Sequence, residues 1–158
     1  MDVDSLARLT GETIGDASSG HERWRIYRRA VDLQQTWTRL LEVIRHEPDP
    51  AIASAVVVQL LERVSPDIRP LVVATLPEGK HRDFAETRSR EIGILEAHST
   101  GHYTPGPAPN NVDSWSTWLQ LRVSNHANDK RVLEELAVAG RTKRVRAAAT
   151  QRLRSLKA

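Results

Sequence analysis

Few residues in this sequence stand at spacings that chemistry requires. His98 and His102 lie four apart around Ser-Thr-Gly. On a helix that spacing turns two imidazoles toward one metal ion, but Gly101 and the prolines at 105, 107 and 109 oppose a helix there. Glu78-x-x-His81 has the spacing of a carboxylate–histidine ligand pair. Pro77 and Gly79 break the turn it would need, and no second copy occurs. Glu86, Glu91 and Glu96 follow one another along a helical stretch, where solvated or ion-paired roles come first. The sequence contains no His-Glu-x-x-His, Gly-x-Ser-x-Gly, phosphate-binding glycine loop or dinucleotide fingerprint. It has no cysteine, which excludes disulfides, thiolate metal sites and cysteine nucleophiles together. The expectation is a non-enzymatic protein that uses no cofactor and no metal.

Residues suited to binding are more plentiful. Residues 141–158 carry seven Lys/Arg and no Asp/Glu, whereas residues 1–140 carry 16 against 20. On a helical wheel Val145, Ala149, Leu153 and Leu156 share one face, and Lys143, Arg144, Arg146, Arg154 and Lys157 spread over the opposite arc. Such a face can hold phosphate backbone or an acidic protein; cations near a helix C-terminus also suit the macrodipole with no ligand at all. Arg23, Arg25, Arg28 and Arg29 surround Trp24 and Tyr27, a pattern that stacks on bases or packs its rings inward while the arginines snorkel. Trp115 and Trp118 follow a long Pro/Gly-rich stretch that contains Tyr103. Aromatic anchors favour interfaces, but Trp115, Trp118 and Leu119 also have the i, i+3, i+4 spacing of a core face. Arginine outnumbers lysine 19 to 4. A GC-rich coding sequence gives such a ratio, and so does selection for guanidinium forks.

The elements that position these residues read as helices. Ile26, Ala30, Leu33, Trp37, Leu40 and Ile44 are spaced 4-3-4-3-4, which predicts one long helix from about Ser19 to His46, ended by Pro48 and Pro50. Asp49-Pro50 predicts a capped helix over the apolar run 51–61. Ser65-Pro66 predicts another to about Leu76, distorted at Pro70. A polar helix follows over 80–97 with Phe84, Ala85, Ile92 and Leu95 as its apolar line. Ser99 to Val112 is a break, read as a mobile or partner-ordered loop. Asp113 is expected to cap a helix bearing Trp115, Trp118, Leu119 and Val123. Helices at about 129–139 and 142–157, separated at Gly140, close the chain. The expected fold is all-α with six to eight helices: a flexible arm over 1–20, then a single domain over 21–158. The 39% apolar content suits a thin helical stack.

Residues 40–61 and 132–156 follow one plan at an offset of 93, pairing Leu40 with Leu133, Ile52 with Val145, Ala55 with Ala148 and Leu60 with Leu153. Asp49-Pro50-Ala51-Ile52 and Val145-Arg146-Ala147-Ala148-Ala149 with Leu153 resemble the second helix of HEAT-repeat proteins. The resemblance covers about a third of the chain; Pro70, the Pro-rich break and unequal helix lengths in the middle depart from it. It implies a short α-solenoid, and a protein–protein interaction module as its function. The alternative is a nucleic-acid-binding repeat protein using the basic C-terminal helix. The alkylpurine DNA glycosylases are an enzymatic HEAT-like family, but no catalytic Asp of theirs maps onto this sequence. The tentative partner-binding residues are Lys143, Arg144, Arg146, Arg154, Lys157 and Tyr103. No run of 18 apolar residues occurs, and the first residues, Met1-Asp-Val-Asp-Ser, form no signal-peptide core. The expected location is cytoplasmic, with a protein partner foremost, nucleic acid second and no membrane.

Overall fold

The computed structural model describes residues 2–100 and 111–157. Tyr103, His102 and most of the 99–112 segment lie outside them. Among the described residues every regular element is helical. There are nine α-helices and two single turns of 3-10 helix, more than the six to eight expected. The chain divides into two compact units, Met1–Ser89 and Arg90–Ala158; the sequence reading expects one domain over 21–158.

The first unit starts with α1 (Val3–Thr10). Within the stretch expected as a flexible arm over 1–20, Val3, Leu6, Ala7 and Thr10 make a buried i, i+3, i+4, i+7 stripe. Asp2 caps this helix and Gly11 ends it at φ 73°, a left-handed position that glycine adopts without strain. Leu9 lies off this stripe and is exposed.

The single helix expected over 19–46 is two. α2 (Gly20–Val31) and α3 (Trp37–Ile44) are separated by a turn of 3-10 helix. The break is held by side chains: the Thr36 hydroxyl donates to the Ala30 carbonyl at 2.8 Å, and Trp37 Nε1 donates to Val31 O at 3.0 Å. The Ala30 carbonyl also accepts from the Leu33 N–H at 3.1 Å, whereas Val31 O is one of the carbonyls that the end of α2 leaves to a side chain.

α4 (Pro50–Leu61) has the Asp49 cap and leading proline that its sequence predicts. The Ser65-Pro66 helix is corrected to a turn followed by the short α5 (Arg69–Val73). There Pro70 occupies the first turn, where a missing N–H breaks no bond. α2 packs on α1, α3 and α4, and α5 packs on α4.

The long helix α6 (Lys80–Thr100) gives its first half to this unit and its second half to the next. Of its expected apolar line, Ala85 and Ile92 are buried and Phe84 is exposed beneath the Arg88 guanidinium.

In the second unit α7 runs from Thr117 to His126, capped by Ser116 rather than by Asp113. Trp115 therefore precedes the helix and is buried in extended backbone. α8 (Lys130–Ala139) and α9 (Lys143–Ser155) follow as expected, with Asp129 and Thr142 as caps. α9 packs along α8 and α7 around Leu119, Val123, Leu133, Leu136, Val145 and Ala149.

The offset of 93 holds at the level of helix starts. Trp37 and Lys130 begin α3 and α8, and Pro50 and Lys143 begin α4 and α9. Leu40 and Leu133 are buried equivalents, as are Val56 and Ala149. Ile52 and Leu153, expected to be fully buried, are half-buried. Packing differs: α8 and α9 lie closely along each other, whereas the close neighbours of α3 are α1 and α2, and those of α4 are α2 and α5.

Candidate interaction surfaces

That difference leaves a groove in the first unit, about 820 Å³ in volume, between α3 and the corner where α4 leads into α5. Trp37 and Leu41 line one wall; Val64, Ile68 and Leu71 line the other. Leu71 is 64% and Ile68 38% exposed, so apolar surface stands open on the far wall. Trp37 is held by its bond to Val31 O at 3.0 Å, so less rotamer freedom remains to be lost on binding. The rim is polar. Arg39 pairs with Glu42 at 3.1 Å and Arg63 with Asp32 at 3.0 Å, while the exposed Arg45 has no ion-pair partner among the described residues. Reading Trp37 as a seam position of one long helix concealed its place in this groove.

The tentative basic residues separate into two kinds. Lys143, Arg144, Arg154 and Lys157 are exposed. Arg146 is half-buried and donates to the Gly140 carbonyl, closing the end of α8, so it belongs to the fold rather than to an open face. Tyr103 lies outside the described residues. The other sequence candidates are mostly structural. Tyr27 and Arg23 are buried, Trp24 is half-buried, and Arg25, Arg28 and Arg29 are exposed. Arg25 pairs with Glu12 and Glu22. Trp118 is half-buried with the Arg122 guanidinium 5.4 Å from its ring centre.

Two buried polar clusters escaped sequence reasoning. In the first unit the Glu47 side chain is fully buried and accepts from Arg23 Nε and Nη2 at 2.9 Å each. It also accepts from the Tyr27 hydroxyl at 2.7 Å and from the Asp49 backbone N–H. Burial alone would raise the Glu47 pKa, but the bonds from Arg23, Tyr27 and Asp49 outweigh it and hold the carboxylate below its ordinary range. Burial, with the Glu47 charge, pushes the Tyr27 hydroxyl up. The remaining guanidinium nitrogen of Arg23 donates to Ala17 O and Ser18 O, tying down the segment that enters α2.

In the second unit His98 is 2% exposed, with its ring centre 5.6 Å from that of Trp115 and its Nδ1 3.2 Å from Asp129 Oδ2. Burial lowers its pKa, against the pull of Asp129. Among the described residues no three His, Cys, Asp or Glu side chains come together to hold a metal ion. His81 is half-buried, and Glu78 is exposed. Of the carboxylates, Glu91 is buried and accepts from the Ser116 N–H at 3.3 Å, while Glu86 pairs with Arg82. Both serve helix ends and faces. No helix among the described residues is long and apolar enough to cross a membrane.

Comparison with protein-family models, with curated proteins and with solved structures finds no match for this chain.

Proposed function

We propose that this protein is a non-enzymatic interaction module, built on HEAT-like helix pairs, that holds an apolar helical segment of a partner protein in the groove of its first unit. One observation carries the reading: Ile68 and Leu71 stand exposed beside a rigidly held Trp37 along an open groove. Aromatic and aliphatic anchors with a polar rim are what a protein hot spot is made of. An amphipathic helix laid in a groove uses anchors of this kind. The charge of the rim supports the same occupant. Arg39 and Arg63 are neutralised by neighbours and Arg45 is not, so the partner segment carries a carboxylate beside its apolar stripe. The HEAT-like reading rests on the shared helix starts of α3–α4 and α8–α9.

A photo-crosslinking residue at Leu71 in the full chain tests this. The expected result is one recurrent partner peptide, with apolar anchors at i, i+3 or i+4 and i+7 and an acidic flank, lost on Leu71→Asp and kept on Val138→Asp. Scattered crosslinks with no recurrent peptide, or a crosslink partner that Leu71→Asp leaves unchanged, sinks the reading.

A further inference from the structure

The charge of the chain follows its division into units. Residues 1–89 carry 12 Lys/Arg and 14 Asp/Glu, whereas residues 90–158 carry 11 and six. One of those six, Glu91, is buried. The second unit is therefore basic; of its exposed cations without an ion-pair partner among the described residues, Lys130 and Arg131 start α8 and four belong to α9 and the residues just after it.

This helix and the residues just after it hold six cations, and the fold uses two. Arg146 closes the end of α8, and Arg152 donates to Ala127 O at 3.0 Å and to Asn128 Oδ1 at 2.7 Å. Lys143, Arg144, Arg154 and Lys157 are exposed, and no carboxylate among the described residues pairs with them. The dipole accounts for Arg154 and Lys157, which end the helix, but it opposes Lys143 and Arg144, which occupy the first turn with no acid beside them.

Their placement has a pattern. Lys143 and Arg154 are three turns apart and differ by about 20° around the axis, so they lie on one line roughly 16 Å long. Between them that line carries Ala147, exposed, with the half-buried Thr150 and the exposed Gln151 beside it. No acid and no bulky side chain interrupts it. Two pairs of cations thus flank a low, neutral stretch. A duplex major groove is about 12 Å wide between its phosphate rows. With the reach of Lys and Arg side chains, one pair meets each row while the small residues face the groove.

We infer that the exposed face of α9 is a binding site for the phosphate backbone of duplex nucleic acid, through Lys143, Arg144, Arg154 and Lys157. The site lies in the second unit and is independent of the groove proposed for a protein partner. Its recognition is electrostatic, so it takes duplexes without strong sequence preference.

Fluorescence anisotropy of the full chain with a 20-base-pair mixed-sequence DNA duplex tests it. Four phosphate contacts predict a slope of log affinity against log salt of about −3.6, which is about a 150-fold loss between 50 and 200 mM salt. The variant K143Q/R144Q/R154Q/K157Q is expected to abolish binding with an unchanged circular dichroism spectrum. The paired variants K143Q/R144Q and R154Q/K157Q, which perturb the helix less, are each expected to halve the slope. Leu71→Asp is expected to leave duplex binding unchanged, which separates this test from that of the groove. No duplex binding at 50 mM salt, binding that the paired variants leave intact, or poly-glutamate competing as well as duplex would overturn the proposal.

Discussion

Three arginines of this protein act at the ends of helices. Arg69 donates to Leu61 O at the end of α4, Arg152 to Ala127 O at the end of α7 and Arg146 to Gly140 O at the end of α8. Each carbonyl is one that the helix itself leaves unpaired, and a guanidinium supplies several donors in a fixed fork where an ammonium supplies a point charge. A genome bias is therefore not needed to explain these positions. The Arg23–Glu47–Tyr27 cluster is the most sensitive of them. Glu47→Ala leaves a buried guanidinium without its charge partner, and the expected loss is about 3–5 kcal/mol in denaturant melts. A loss below about 1 kcal/mol would mean that water enters and solvates Arg23. At His98, burial keeps the imidazole neutral in the folded chain, so the unfolded chain binds the proton more readily. The stability it provides is present above pH 6.5, the ordinary histidine pKa, and declines as pH falls from there through the lowered native value. The melting temperature should therefore drop between pH 7.5 and 5.5, with a shallower drop in His98→Gln. Equal slopes would place the pH response elsewhere.

At the scale of elements, the α8–α9 corner is the tightest in the molecule. A Cβ on Gly140 would stand 2.4 Å from Leu136 O and 2.7 Å from Val145 Cγ1. One contact is to backbone, so it cannot be relieved by a side-chain rotation. Gly140→Ala is expected to destabilise the second unit by about 1–3 kcal/mol, the cost of overpacking; an unchanged midpoint in urea would show that the corner can open. Along α9, Val145 and Ala149 are buried while Leu153 is only half-buried. Leu133→Ala is accordingly expected to cost about 2–5 kcal/mol, and Leu153→Ala distinctly less. The reverse order would mean that the outer end of α9 is covered.

At the scale of the whole chain, one helical plan appears in both units with different outcomes. The second unit closes α8 on α9, and its free surface is charge. In the first unit α3 and α4 turn to other neighbours, and its free surface is an apolar groove. Leu60 is fully buried in the first unit, at the floor of the groove. Leu60→Ala is expected to cost about 2–5 kcal/mol and to lower amide protection in residues 50–64. If protection there is unaltered, the floor of the groove is supported by something other than this side chain.

Local chemistry was enough to read the all-helical class, the Asp49-Pro50 start of α4, the Gly140 break, and the helices at 130–139 and 143–155. Each depends on capping groups and periodicity within a few residues of one another. The open cations of α9 were legible for the same reason, since a helix places its faces by arithmetic. What tertiary structure decided were the features made by residues distant in sequence. Thr36 and Trp37 break a helix whose periodicity runs straight through them, because they capture carbonyls of the preceding turns. Glu47 gathers Arg23 from 24 residues away and Tyr27 from 20, and Arg152 reaches back 25 residues to Ala127. The groove follows from the same cause: a periodic pattern says that Trp37 must face something, and only packing decides whether that is a neighbouring helix or an open wall.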